Sequence, residues 1–254
     1  MSRPRVAIFD FACCEGCQLQ IVDMEEELLD LISVVEPVMW REAMSEQSDQ
    51  YDIAIVEGSI TRPEDEERLR KIRQQASVLV AIGACATMGG VNRIKNNFDL
   101  DEVKRCVYGP AGGMPHLRTE KTRGAPEVVK VDYLVHGCPM DGREFAYVVR
   151  CLAIGKAPVI PDYPVCVECK AGGNICRYEY KEVCLGVVTR AGCGAACPSR
   201  GMWCFGCRGL APNPNVPAAQ EIMDQYGKTA GDLEEKLILF NSESESLRQE
   251  QAHG

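Results

Sequence analysis

Through Ala153 the chain alternates short continuous apolar runs with longer stretches where apolar and charged positions interleave at helical spacing. Arg5 to Phe11 (RVAIFDF) reads as a buried strand that ends in a Cys-rich turn. From Gln18 to Val35, Leu19, Ile21, Val22, Met24, Leu28, Leu29, Leu31 and Ile32 share one face and acids fill the other, which predicts one amphipathic helix. Val38 to Trp40 and Ile53 to Val56 give two more strands, the second running into Glu57-Gly58-Ser59. Pro63 to Gln75 is charged and opens on proline, so an exposed helix is expected. Ser77 to Ile82 (SVLVAI) is a fourth strand, followed by Gly83-Ala84-Cys85. A long loop carrying Gly and Pro leads to a fifth strand, Val129 to Val135, then to His136-Gly137-Cys138-Pro139 and a helix from about Asp141 to Ala153.

Strands that are apolar on both faces and alternate with helices indicate a parallel sheet covered on both sides. The expected fold is α/β: a flavodoxin-like parallel sheet domain followed by a small cysteine-rich domain. The prolines of GKAPVIPDYP mark a stiff linker. The division predicted is 1–154 for the flavodoxin-like domain, 155–164 for the linker, 165–215 for the cysteine-rich domain and 216–254 for a C-terminal helix and flexible tail. Val165 to Gly209 holds eight cysteines with too little apolar sequence for a core of its own, so it needs an inorganic staple. In the tail, Asp232 to Phe240 is amphipathic, and the composition beyond it favours disorder.

Charge narrows the partners. A net charge of −9 over 254 residues argues against nucleic acid, whose phosphates call for clustered Lys and Arg. No apolar run is long enough to span a membrane, and the start shows neither a secretory nor a twin-arginine signal. A cytoplasmic location is the expectation. Cysteine is the outlier, at fifteen. An odd count in a reducing compartment fits metal or cluster ligation better than disulfides.

The cysteines fall into three groups. Cys14, Cys17, Cys85 and Cys138 each lie just past a predicted strand, and the carboxyl ends of parallel strands share one sheet edge. Gly16, Gly83 and Gly137 allow tight turns there. Four thiolates suit a 4Fe–4S cluster. The second group is Cys166-x2-Cys169-x6-Cys176-x7-Cys184 and the third is Cys193-x3-Cys197-x6-Cys204-x2-Cys207. Each contains a C-x2-C chelate, and two structural zincs are the alternative to two clusters. Grouping by sequence order is an assumption, because two-cluster patterns can exchange a cysteine.

Cys13 directly precedes Cys14 and reads as a buried spectator thiol. Glu57 is either a polar neighbour or oxygen ligand of the first site, or a strand-end carboxylate facing water. Cys151 falls on the buried stripe of its helix, and Cys106, at the start of the long loop, has no assigned role. His116 and His136 read as structural, and His253 lies in the tail. No catalytic triad, Walker loop or dinucleotide fingerprint is present.

At these positions the chain resembles the small subunit of nickel–iron hydrogenases. The matching pieces are C-E-G-C from Cys14 to Cys17, V-E-G-S from Val56 to Ser59, G-A-C-A-T-M-G-G from Gly83 to Gly90, and G-C-P from Gly137 to Pro139. The resemblance implies an electron-transfer subunit of an oxidoreductase with no catalytic residues of its own. The nickel–iron centre would lie in a large-subunit partner, and a flavin- or Fe–S-containing subunit would exchange the electrons. Three 4Fe–4S clusters are implied: proximal on Cys14, Cys17, Cys85 and Cys138, distal on Cys166, Cys169, Cys176 and Cys184, and medial on Cys193, Cys197, Cys204 and Cys207. Cys166 stands where the periplasmic branch has His, and Cys197 supplies a fourth medial thiolate, which favours the cytoplasmic branch (sulfhydrogenase, methyl-viologen-reducing or NAD(P)-linked). The adjacent Cys13 and Cys14 resemble instead the cluster-bearing subunit of respiratory complex I, which lacks an eight-cysteine appendage.

Overall fold

A computed structural model describes residues 3–110, 118–212, 214 and 216–241. His116, His253 and the predicted disordered end lie outside the described residues. The chain divides into two compact units, Met1–Pro158 and Val159–Gly254.

The first unit is a five-stranded parallel sheet in the order β2-β1-β3-β4-β5: β1 (Arg5–Asp10), β2 (Glu36–Trp40), β3 (Ile53–Glu57), β4 (Val78–Ile82) and β5 (Tyr133–Val135). This is the flavodoxin-like order. Alternation along the strands sends side chains to both faces, and both are covered. Ala7, Phe9, Ala54, Val56 and Leu79 pack with Leu69 and Ile72 of α3 (Pro63–Gln75). Val6, Ile8 and Ile55 line the opposite face with Ile21 of α1 (Gly16–Val22), Leu31 of α2 (Glu26–Val34) and Phe145 of α6 (Gly142–Ala153).

Three sequence expectations change. The single helix predicted from Gln18 to Val35 is two helices, broken at Asp23–Glu25, where Glu25 takes φ 50°. The acids that looked like a solvated face include Glu26 and Glu27 in the first turn of α2, where amide dipoles favour negative charge. The long loop between β4 and β5 holds α4 (Gly83–Met88), a 3-10 segment (Gly90–Asn97) and α5 (Leu100–Tyr108). The Asp99 side chain accepts from the Glu102 amide and starts α5, so Cys106 is an exposed residue of that helix and not of a loop. The last strand is only Tyr133–Val135, with a 3-10 turn at Ala125–Glu127 before it.

The second unit has a core that the cysteine-rich segment builds together with the helices after it. Val165, Tyr178, Val183, Leu185 and Val188 pack with Cys169, Cys184 and Cys204. Ala219 and Met223 of α8 (Val216–Gln225) and Leu233 and Leu237 of α9 (Ala230–Asn241) belong to the same core. The cysteine-rich segment supplies most of this core, and the last two helices complete it. The predicted tail helix corresponds to α9, and α8 had no expectation.

Because Met223 is fully buried, Met223→Ala should destabilise the second unit by about 2–5 kcal/mol. A lower midpoint in anaerobic denaturation would show this, and an unchanged midpoint would mean that α8 is dispensable to the core.

Candidate iron–sulfur sites

The carboxyl edge of the sheet gathers the first group. Cys14 lies in the turn after β1, and Cys17 is buried in the first turn of α1. Cys85 sits on α4 directly after β4, and Cys138 follows β5. The Ala84 amide donates to the Gly137 carbonyl at 2.6 Å, which ties the Cys85 and Cys138 loops together. The Cys138–Pro139 bond is cis.

Glycines bring backbone against sulfur. A Cβ on Gly83, at φ +77°, would stand 2.3 Å from the Cys17 sulfur, and one on Gly90, at φ +57°, would stand 2.9 Å from that of Cys85. Gly16 lies beside Cys14, its Cβ position 3.4 Å from that sulfur. Gly83 and Gly90 admit no side chain without displacement and leave those two thiols facing bare backbone, whereas a Cβ on Gly16 would make only ordinary contact.

Glu57 does not face water. It ends β3 with 2% of its surface exposed, and its two oxygens accept from the amides of Cys17 at 3.1 Å and Gln18 at 3.2 Å. Gln18 is also buried and accepts from the Trp40 indole at 2.9 Å. Burial, then the Glu57 charge, pushes the Cys13 thiol up to about 12 and raises Cys17 further. Burial and the neighbouring Cys138 and Cys14 push Cys85 up to about 12, and Cys138 rises through burial and Cys14. Cys13 thus stands near Glu57 and Cys85, a fifth thiol in the group.

In the second unit Cys166 and Cys169 lie on α7 (Val165–Ala171), a helix with no sequence expectation. Burial, then Cys184, Cys169 and Cys176, pushes Cys166 up to about 12, so the other three thiols all lie within electrostatic reach of Cys166. Cys193 is a neighbour of Cys197, and Cys207 of Cys204. The two groups touch: the Cys204 amide donates to the Cys184 sulfur at 3.2 Å. A Cβ on Gly186 would reach the Cys166 and Cys184 sulfurs at 3.5 and 3.6 Å and the Cys204 Cβ at 3.7 Å. Arg208, beside Cys207, is 1% exposed and donates to the Ala191 carbonyl at 2.8 Å. No pattern in the sequence marks this buried cation. Cys151 is a core residue of α6. Among the described residues, no three His, Cys, Asp or Glu side chains close to the spacing of a single metal ion.

A flavodoxin-like sheet with thiols at its carboxyl edge, joined to a second cysteine-lined unit, defines an iron–sulfur protein of the electron-transfer class. The family model described as "NADH ubiquinone oxidoreductase, 20 Kd subunit" matches residues 14–152. Sulfhydrogenase 2 subunit delta of Pyrococcus furiosus is 37% identical over 223 residues, 87% of this chain and 92% of that one. A subunit of the F420-non-reducing hydrogenase vhu of Methanococcus voltae is 28% identical, covering 93% of each chain. A crystal structure of NAD+-reducing [NiFe]-hydrogenase aligns with TM-score 0.57 at 29% identity, over 63% of this chain and 96% of that one. The Actinobacterial-type NiFe-hydrogenase from Ralstonia eutropha H16 shares the fold, with TM-score 0.59 over 100% of this chain and 91% of that one, at 17% identity. The chain belongs to the NADH ubiquinone oxidoreductase 20 kDa subunit family, in its branch of hydrogenase small subunits.

Removing the Glu57 carboxylate leaves two buried amides unpaired. Glu57→Ala should cost roughly 1–3 kcal/mol for each, and Glu57→Gln, which keeps one acceptor, less. Chemical denaturation reads both, and equal stability of the two variants would contradict the role. The raised thiols also set a pH dependence. Their values climb from 9.0 to about 12 for Cys13, Cys85 and Cys166, so the iron-free fold prefers protonated thiols. That contribution is complete below about pH 9 and fades as pH rises toward 12. Iron-free protein should melt at a lower temperature at about pH 10 than at about pH 8, and iron uptake should release protons.

Proposed function

We propose that this chain is the electron-transfer small subunit of a cytoplasmic nickel–iron hydrogenase and relays electrons between a large-subunit NiFe centre and a flavin- or Fe–S-containing partner. The observation that carries this reading is the gathering of Cys14, Cys17, Cys85 and Cys138 at one sheet edge, in a chain whose relatives named as hydrogenase subunits also span its cysteine-rich unit. Residues 1–154 would hold the proximal site and 165–215 the other two. Cys14, Cys17, Cys85 and Cys138 would bind the proximal 4Fe–4S cluster. Cys166, Cys169, Cys176 and Cys184 would bind the distal one, and Cys193, Cys197, Cys204 and Cys207 the medial one. When bound, such clusters supply reversible one-electron storage.

The residues of the chain do the rest. The thiolates fix where charge is stored. Gly83 and Gly90 keep bulk away from the sulfurs, and Glu57 locks the start of α1. The cytoplasm suits the fifteen thiols, because reducing conditions keep them free for iron. No described helix is long and apolar enough to cross a membrane.

Two observations bear on a complex I-like redox subunit instead. The matched family carries that subunit's name, and Cys13 stands with the first group. Against it, the match ends at residue 152, and the eight C-terminal cysteines lie in the part that sulfhydrogenase 2 subunit delta shares. A zinc-stapled interaction protein is the other alternative, and colour separates it from an iron protein.

Anaerobic purification with the native partners should yield nickel in a co-eluting large chain and about twelve irons per copy of this one, three cubanes of four. A nickel-free stable complex would favour the complex I-like reading, and a colourless, zinc-loaded product would sink both. Cys85→Ser should abolish hydrogen-dependent reduction of the acceptor and leave hydrogen isotope exchange at the partner's centre intact. Full acceptor reduction by that variant would remove Cys85 from the relay.

A further inference from the structure

Glu168 lies between Cys166 and Cys169 on α7, yet its hydrogen bonds go to the other cysteine group. One carboxylate oxygen accepts from the Gly192 amide at 2.8 Å and the other from the Ala195 amide at 3.2 Å. Those two residues bracket Cys193 and Gly194. The backbone between them is unusual, with φ +116° at Gly192, +60° at Gly194 and +52° at Ala195. Ala195 is not a glycine, its methyl is fully buried, and left-handed backbone is unfavourable for it. Its hold on that conformation therefore needs an anchor, and Glu168 provides two bonds to the loop. Like Glu57, this carboxylate takes two backbone amides beside a candidate ligand. Unlike Glu57, it does so across two sites.

We propose that Glu168 is a positioning residue that fixes the loop presenting Cys193 and holds the station built on Cys193 at low potential. This rests on the reading of Cys193 as an iron ligand. Two physical effects act in the same direction. A negative charge near a cluster disfavours adding an electron. Amides engaged by a carboxylate do not donate to cluster sulfurs, and hydrogen bonds to those sulfurs are among the factors that set potential. Because α7 also carries Cys166 and Cys169, the same side chain ties the geometry of one station to that of the next.

The test uses the intact, anaerobically purified hydrogenase complex, followed by iron analysis and by electron paramagnetic resonance during redox titration. Glu168→Gln keeps the shape, removes the charge and leaves one amide without a carboxylate acceptor. It should retain about twelve irons per chain and show an upward shift that is largest for the medial cluster, where charge loss and amide release add, smaller for the distal one, and absent for the proximal one. Glu168→Ala releases both amides and should lose the medial cluster, with iron falling to about eight per chain while proximal and distal signals persist. Asp224→Asn is the control, since that exposed carboxylate on α8 accepts from the Gln220 side-chain amide at 2.9 Å and lies outside both cysteine segments, and it should change neither quantity. Unshifted potentials in Glu168→Gln together with full iron in Glu168→Ala would overturn the inference, as would an equal effect of Asp224→Asn. Wild-type complex without any medial signal would remove the ligand reading, and the role of Glu168 with it. Clear wild-type signals with unresponsive variants would overturn the role of Glu168 alone.

Discussion

The first site depends on one buried carboxylate. Glu57 has the ends of two elements to join, because β3 delivers it to the sheet edge and the start of α1 offers two amides with no partner inside that short helix. Without it, burying those amides beside Cys17 would be unfavourable, and the C-x2-C turn would have no fixed relation to the third strand. The price is electrostatic. The same charge makes each nearby thiol harder to ionise, on top of the larger effect of burial. Such a site favours protonated thiols, so any iron it took up would displace protons and link metal uptake to thiol ionisation.

Sequence made the sheet legible because its signal is simple. Strands buried on both faces must be apolar along their interiors, as Val6 to Phe9, Ile53 to Val56, Val78 to Ile82 and Tyr133 to Val135 are. The flavodoxin-like order is the natural expectation for strands and helices that alternate in this way. Grouping Cys14, Cys17, Cys85 and Cys138 was legible for the same reason, since the carboxyl ends of parallel strands meet. What stayed hidden has a common cause. α4 and α7 are short, rich in small residues or Cys, and shaped by the site, so periodicity has too few turns to register. For α5 the signal existed: Asp99 three positions before Glu102 is a helix start. The break between α1 and α2 was hidden because acids serve equally as a solvated face and as a first helical turn.

Glu57 and Glu168 were ambiguous or invisible for a different reason. An acidic residue in a sequence has no stated direction, and most face water. Only the tertiary structure shows that each turns inward to meet two backbone amides next to a cysteine. Arg208 is the converse case, a cation that composition would assign to the surface and the fold buries beside Cys207.

The division into two units follows from geometry as much as from descent. An open parallel sheet has a single carboxyl edge, and five strands leave room there for the loops of one site. Further stations need a different scaffold. In the second unit the cysteines themselves are core residues, with Cys169, Cys184 and Cys204 packed among Val165, Leu185 and Met223. Ligation at those cysteines would therefore be coupled to the folding of that unit. Its helices α8 and α9 bring the apolar surface that a segment of glycine, cysteine and charge lacks. Two cysteine groups can share a hydrogen bond, as Cys204 and Cys184 do, only where no separate hydrophobic layer stands between them, and redox centres built on such groups would lie close together.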